Sequence, residues 1–298
     1  MHPLVTILGS LCLMAAPVLA QPMVPDTVSG LKLWMDSGSP YVTRNGSDQV
    51  SAWASRLESP VVSGVQATMS RQPIWIEEAT PSKQAALSFD GTDRLNLDQQ
   101  IPLTNALTAF VVFSISDLAI DNQYLLDTRM GGTPNPGYSL LYRVIGGAPY
   151  LEASYRHPDD SAATRIQLKL ADDLTTFGND GWVIASLQIA SDAEGRHLSL
   201  SALGNEATDT KTGLFTNLTG AYNLAIGALA NNYSDGFLRG EVASILLYDR
   251  ALGEGEITGV TDYLNQFYVI PEPQTVALLV GGLVILGIRR AQARAGKR

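Results

Sequence analysis

The stretch HLSLSAL, His197 to Leu203, puts Leu198, Leu200 and Ala202 on one side and polar residues on the other. Side chains alternate with a period of two along a β-strand, so such a stretch offers one face to a core and one to water. WVIASLQIA (Trp182–Ala190) repeats the device with Val183, Ala185, Leu187 and Ile189. AFVVFSI (Ala109–Ile115) is a β-branched and aromatic run of strand length. Further strands are expected at Leu31–Trp34, Ala86–Phe89, Tyr138–Arg143, Tyr150–Tyr155, Thr164–Leu170, Tyr222–Ala228 and Glu241–Tyr248. Turn pairs separate them: Asp90-Gly91, Gly146-Gly147, Glu194-Gly195, Gly204-Asn205 and Asp235-Gly236. Ten or more short strands with this punctuation predict an all-β fold, an antiparallel two-sheet jelly-roll sandwich.

One helix interrupts the pattern. In GEGEITGVTDYLNQFY (Gly253–Tyr268), Ile257, Val260, Leu264 and Phe267 recur at spacings of three and four. That period predicts a short C-terminal amphipathic helix packed on the sandwich. Glu254 and Glu256 sit where the positive end of its dipole favours acids. No internal repeat or long linker divides residues 21–270, so they read as one domain.

That body carries 15 basic and 28 acidic residues, a balance of -13. It repels phosphate backbones, which argues against nucleic acid as a partner. Cys12 is the only cysteine. It excludes an intrachain disulfide, and a mature body without it has no thiol nucleophile or cysteine metal site.

The two ends read as processing segments. Leu4 to Ala20 is mostly apolar, and Val18-Leu19-Ala20 precedes Gln21 as a small-residue cleavage pattern would. Residues 1–20 are therefore expected to be a secretory signal peptide, cut by signal peptidase between Ala20 and Gln21. At the other end, 14 residues from Thr275 to Ile288 separate Gln274 from Arg289. As a terminal hydrophobic helix they rise roughly 21 Å, short of the ~30 Å hydrocarbon core of a bilayer. The arginines would stay on the cytoplasmic side. The sequence of signals in 271–298, Pro271-Glu272-Pro273, an apolar run and Arg289-Arg290, resembles the PEP-CTERM sorting domain. That resemblance implies a transient inner-membrane anchor, handling by an exosortase-type protease-transpeptidase, and release to the cell surface or extracellular matrix. An ordinary single-span anchor is the other reading of the tail.

The body also resembles the laminin-G-like branch of the concanavalin A-like jelly rolls. The residues that carry the likeness are GLKLWMD (Gly30–Asp36), ALSFDG (Ala86–Gly91), Trp182-Val183-Ile184-Ala185, Leu224-Ala225-Ile226-Gly227 and GEVASILLYDRAL (Gly240–Leu252). Many members hold calcium at the sandwich rim, and calcium takes oxygen ligands. Here Asp90, Asp93, Asn232 and Asp235 are the candidate ligands, with Asp159-Asp160 and Asp172-Asp173 as other acidic loops. The acidic pair that the family carries in its last strand is replaced by Ala243 and Ser244.

No catalytic constellation stands out. The Glu-x-Asp-x-x-Glu strand of glucanases with this fold is missing, as is a Gly-x-Ser-x-Gly elbow. His157 and His197 are isolated, which does not suit zinc. Glu77-Glu78 reads as a solvated edge. Tyr233, Asp235 and Phe237 in the loop NNYSDGF are the candidate ligand-binding residues. Among the tryptophans, Trp53 and Trp75 could stack on sugar rings, whereas Trp34 and Trp182 read as core. The expectation is an exported, non-catalytic protein that binds an extracellular glycan or protein. A polysaccharide hydrolase or lyase, and a structural module without a ligand, are the alternatives.

Overall fold

A computed structural model describes residues 21–103, 105–129, 137–156, 164–170, 181–213, 218–219, 222–230 and 236–270. The signal segment, Ala20 included, and the tail with Pro271, Glu272, Pro273, Arg289 and Arg290 lie outside the described residues. Gln21 begins them and is exposed. Among them, no helix is long and apolar enough to cross a membrane.

In chain order the strands are β1 (Leu31–Asp36), β2 (Val42–Arg44), β3 (Val50–Ala54), β4 (Ser63–Val65), β5 (Ile74–Ile76) and β6 (Ala86–Asp90). Then follow β7 (Leu95–Leu97), β8 (Ala106–Ile115), β9 (Gln123–Asp127), β10 (Gly137–Ile145), β11 (Ala148–Arg156) and β12 (Thr164–Lys169). The last are β13 (Trp182–Asp192), β14 (Gly195–Ala202), β15 (Asn205–Lys211), β16 (Ala225–Ile226) and β17 (Arg239–Tyr248). They build two antiparallel sheets. The first runs β15-β14-β13-β8-β17-β6-β5, with β1 also paired to β17; the second runs β12-β11-β10-β9-β16-β7-β4-β3-β2.

The alternation read in the sequence is what fills the space between the sheets. Val183, Ala185, Leu187 and Ile189 of β13 and Leu198, Leu200 and Ala202 of β14 all join the inter-sheet core. The opposite side of β13 is not solvated, however. Trp182 and Ile184 belong to a second apolar cluster, on the outer face of the first sheet. Helix α1 (Glu254–Leu264) covers it, and a π-helical turn, Asn265–Val269, extends the cover. Val260 and Leu264 are fully buried there, and Ile257 and Phe267 pack at the margin. A fully buried side chain of this size contributes ~1.5–3 kcal/mol. The helix start is held by Arg250, whose Nη2 lies 2.6 Å from Glu256 Oε1, while the Gly253 N–H donates to Glu256 Oε2. These bonds hold the Glu256 carboxyl down to about 2.

One of the expected strands needs correction. Tyr222–Ala228 contributes only the two-residue β16. Gly227 turns the chain there at φ +78 against the Phe89 ring, where a β-carbon would sit 2.5 Å from ring atoms. The Asp90-Gly91 turn does separate two strands, and it carries the chain from one sheet to the other, because β6 and the following β7 lie in different sheets. Seven strands (β2, β3, β4, β5, β7, β9 and β15) carry too few residues or too little apolar contrast to show a period. β15 is mostly solvated, with Ala207 packed against the inter-sheet core.

Candidate functional site

The registers of the second sheet line up one residue from each strand on its outward face. The row reads Thr43, Ala52, Val65, Asn96, Ala225, Asp127, Ser139, Ser154, Arg165. None of them belongs to the inter-sheet core. The floor is therefore made of small and polar side chains. A second row, Tyr124, Leu141, Glu152, Gln167, runs beside it.

Two buried carboxylates sit on this face. Asp127 is fully buried and Glu152 is 2% exposed. Arg129 lies across the first row: its Nε donates to Asp127 Oδ1 at 2.8 Å, Nη1 to Ser154 Oγ at 2.8 Å and Nη2 to Tyr124 Oη at 3.1 Å. Asp127 Oδ2 accepts the Ala230 N–H at 3.0 Å, and the Ser139 and Ser154 hydroxyls are 2.8 Å apart. Burial raises the Asp127 carboxyl above the usual range, and Arg129 opposes that shift. In the second row, Arg143 Nη1 and Gln167 Nε2 donate to Glu152 Oε2 at 3.0 and 2.8 Å. Arg143 Nε also reaches Asp121 Oδ1 at 2.7 Å. Arg165 Nε lies 4.0 Å from Glu152 Oε1. Asp121, Asp127 and Glu152 are thus balanced by Arg129, Arg143 and Arg165.

Of the sequence-derived ligand residues, Phe237 is half-buried, and Tyr233 and Asp235 lie outside the described residues. Gly236, the residue after Asp235 in the sequence, packs on this face. Gly236 accepts the Tyr124 N–H at 3.0 Å, and a β-carbon on Gly236 would lie 2.6 Å from the Tyr124 ring. Only a glycine allows so close an approach.

The metal candidates divide. Asn232 and Asp235 lie outside the described residues, as do His157, Asp159-Asp160 and Asp172-Asp173. Asp90 and Asp93 do come together: Asp93 Oδ2 accepts the Asp90 N–H at 3.0 Å. Asp90 itself accepts the Thr92 hydroxyl and N–H at 2.7 and 2.8 Å, which lowers its pKa. Asp93 is buried, and loss of hydration together with the Asp90 charge pushes its carboxyl up to about 7. Among the described residues, no three His, Cys, Asp or Glu side chains gather as a metal set.

The Asp93 shift has a measurable consequence. Its folded-state pKa lies above the ~3.9 of an unfolded chain. The fold therefore favours the protonated acid, and that contribution, complete below about pH 4, is lost as pH rises through about 7. Asp93→Asn mimics the neutral acid. At pH 8 it is expected to be more stable than the parent by roughly 1–3 kcal/mol, with the difference vanishing towards pH 4. Urea unfolding at both pH values measures this, and a pH-independent difference would contradict it.

The expected core role of Trp34 and Trp182 holds, and it extends to the other tryptophans. Trp53 is fully buried and Trp75 is 8% exposed. The Arg44 guanidinium caps the Trp75 ring at 3.4 Å, so no tryptophan offers a free face. His197 pairs with Asp192 at 2.9 Å on an exposed hairpin. Ala243 is buried under α1 and Ser244 Oγ donates to Met35 O at 2.9 Å. The buried acids Asp127 and Glu152, with Arg129 and Arg143, were missed from sequence. The Gly146-Gly147 turn carried a usable signal for one pair, because it sets the β10–β11 register and brings Arg143 diagonal to Glu152.

No protein-family model matches the chain, and no curated protein matches it. Among the solved structures that are partly similar, three illustrate the likeness. Domain 4 of AbnA, a GH43 extracellular arabinanase from Geobacillus stearothermophilus in complex with arabinotriose, is 12% identical over 77% of this chain and 97% of that one, TM-score 0.47. The CBM40 of a Ruminococcus gnavus IT-sialidase, bound to alpha2,6 sialyllactose, is 18% identical over 53% and 84%, TM-score 0.43. The botulinum neurotoxin serotype D binding domain is 11% identical over 80% and 51%, TM-score 0.47. These overlaps are loose, so the chemistry of the site is read from its own residues.

Proposed function

We propose that this chain is an exported, non-catalytic surface or extracellular-matrix protein. Its laminin-G-like sandwich binds a neutral glycan on the outward face of the second sheet. The observation that carries this reading is Arg129 spanning Asp127, Ser154 and Tyr124 over a floor of small residues. Three of the five guanidinium N–H groups are committed to these partners. The remaining two, one on each Nη, are fixed planar donors that match the lone pairs of sugar hydroxyls. The Tyr124 ring supplies an amphipathic surface for the apolar side of a pyranose. Balanced charge on the face disfavours an acidic glycan. Phe237 would border the site through the Gly236 contact, and Tyr233 and Asp235 stay candidate ligand residues on the strength of the sequence alone. Calcium at Asp90 and Asp93 is not needed for it.

Export by signal peptidase at Ala20-Gln21 and PEP-CTERM sorting through Pro271–Pro273 and Arg289-Arg290 belong to the same proposal. The intact mass of surface-extracted protein tests the tail: a C-terminus extending to Arg298 would rule out exosortase-type removal.

A hydrolase or lyase is the second reading, favoured by two buried acids on one face, since glycosidases work with a carboxylate pair. The bonds already made argue against it. Both Asp127 oxygens hold N–H donors, and Glu152 Oε2 holds two. A glycan array probed with the full chain, with calcium and then with chelator, separates the readings. Calcium-independent binding without sugar release is expected, weakened about tenfold (~1.4 kcal/mol) by Tyr124→Ala. Released sugar would select the enzyme, and an empty array the structural module.

A further inference from the structure

The outer face of the first sheet carries a cross-strand row of its own: Trp34, Leu246, Phe110, Ser186, Ser201, Glu206. Its character changes midway. Trp34, Leu246 and Phe110 are buried in the cluster beneath α1. Beyond the edge of the helix, Ser186, Ser201 and Glu206 line a cleft of about 290 Å³ between α1 and the β14–β15 turn. The cleft belongs to the opposite sheet from the glycan face described above.

Its chemistry is one-sided. Ile184 and Ile257 provide an apolar patch, and Thr258 and Thr261 line the helix side. The Ser186 and Ser201 hydroxyls are 2.7 Å apart. Two hydroxyls hold two protons and spend one on each other, so the pair keeps a donor and acceptor lone pairs for a ligand. Glu206 Oε1 accepts a hydrogen bond from the Ser199 hydroxyl at 2.7 Å. Asp262, also on the cleft, has no side-chain partner among the described residues. Among the described residues, no Lys, Arg or His lines the space. An anion is repelled from such a cleft. A purely apolar molecule would strand the hydroxyls and carboxylates, which costs about 1–3 kcal/mol per unpaired group.

We infer that this cleft is a second binding site, for a monosaccharide-sized polyol that carries a protonated amine. Ring hydroxyls would meet the serine pair and the threonines, C–H groups the isoleucine patch, and the ammonium group Asp262 and Glu206. The volume sits just under the ~300–1,000 Å³ of small-molecule pockets, which fits a single sugar ring better than a chain.

Glucosamine, N-acetylglucosamine and glucose separate charge from shape. Titrated into the full chain at low ionic strength and mildly acidic pH, glucosamine should bind at least about tenfold more tightly than the other two. Its affinity should fall as salt is added, since the carboxylates are near the surface. Asp262→Asn should weaken it about fivefold or more, and Thr261→Arg, which puts a cation on the rim, should abolish it. Thermal melting of each variant checks that it is folded. Equal affinity for the three sugars, no glucosamine binding at all, or binding indifferent to both substitutions would overturn the inference. Since neither variant touches the glycan face, loss of array binding by Tyr124→Ala bears only on the other site.

Discussion

Asp127→Ala is expected to destabilise the protein by about 3 kcal/mol. Removing one partner of a buried ion pair leaves the other charge uncompensated, which costs ~3–5 kcal/mol. Arg129 is not wholly enclosed, with its side chain 16% exposed, so it can recover some hydration and the lower end applies. The Ala230 N–H also loses its acceptor. For a domain of this length each kcal/mol shifts the melting temperature by ~2–4 °C, so a fall of roughly 6–12 °C should be seen by calorimetry. Adding Arg129→Met removes the stranded charge, and the double variant should recover part of the loss. A double variant no more stable than Asp127→Ala would show that the pair is not the unit that matters.

Trp53→Ala should cost still more, about 4 kcal/mol, within the ~3–5 range for emptying a buried tryptophan site. Trp53 stands on β3 in the second sheet, and its Nε1 donates to Asp36 O on β1 in the first, at 2.8 Å. The substitution therefore opens a cavity and breaks a bond between sheets. The same corner is held by Trp75 Nε1 to Ser37 O at 2.7 Å and by the Arg56–Asp36 ion pair at 2.8 Å. Trp53→Phe should keep most of the packing and lose mainly the hydrogen bond, about 1 kcal/mol. Under native conditions, glycan binding by either variant should match the parent. A variant that melts like the parent but no longer binds sugar would make Trp53 a ligand platform.

Strands were legible where one face needed a core. β8, β13, β14 and β17 each have eight or more residues, long enough for a period to emerge. The three-residue strands had no room for one. The helix was legible for the same reason: Val260 and Leu264, read at helical spacing, are the residues buried beneath it. What the pattern could not tell is that the first sheet is buried on both faces where β1, β17, β8 and the start of β13 run beneath the helix. Trp182 read as core, but Ile184 fell on the unassigned side of an alternating strand, and only the helix returning over the sheet shows what core the two of them join.

The candidate site divides the same way. Tyr233, Asp235 and Phe237 were chosen because a Gly- and Asn-rich loop with aromatics suits recognition, a local property. Asp127 drew no attention, since a lone acid closing the five-residue stretch QYLLD resembles any turn residue.

Amino-acid order alone determined that the described body is a sandwich of antiparallel strands with one helix against it, because hydrophobic periodicity is set by the few residues around each position. Tertiary structure decided which polar groups meet. Arg129 reaches Ser154 on β11 and Glu152 meets Gln167 on β12 only after β9, β10, β11 and β12 have settled into register. Such pairings depend on distances across the sheet, and no spacing along the chain encodes them.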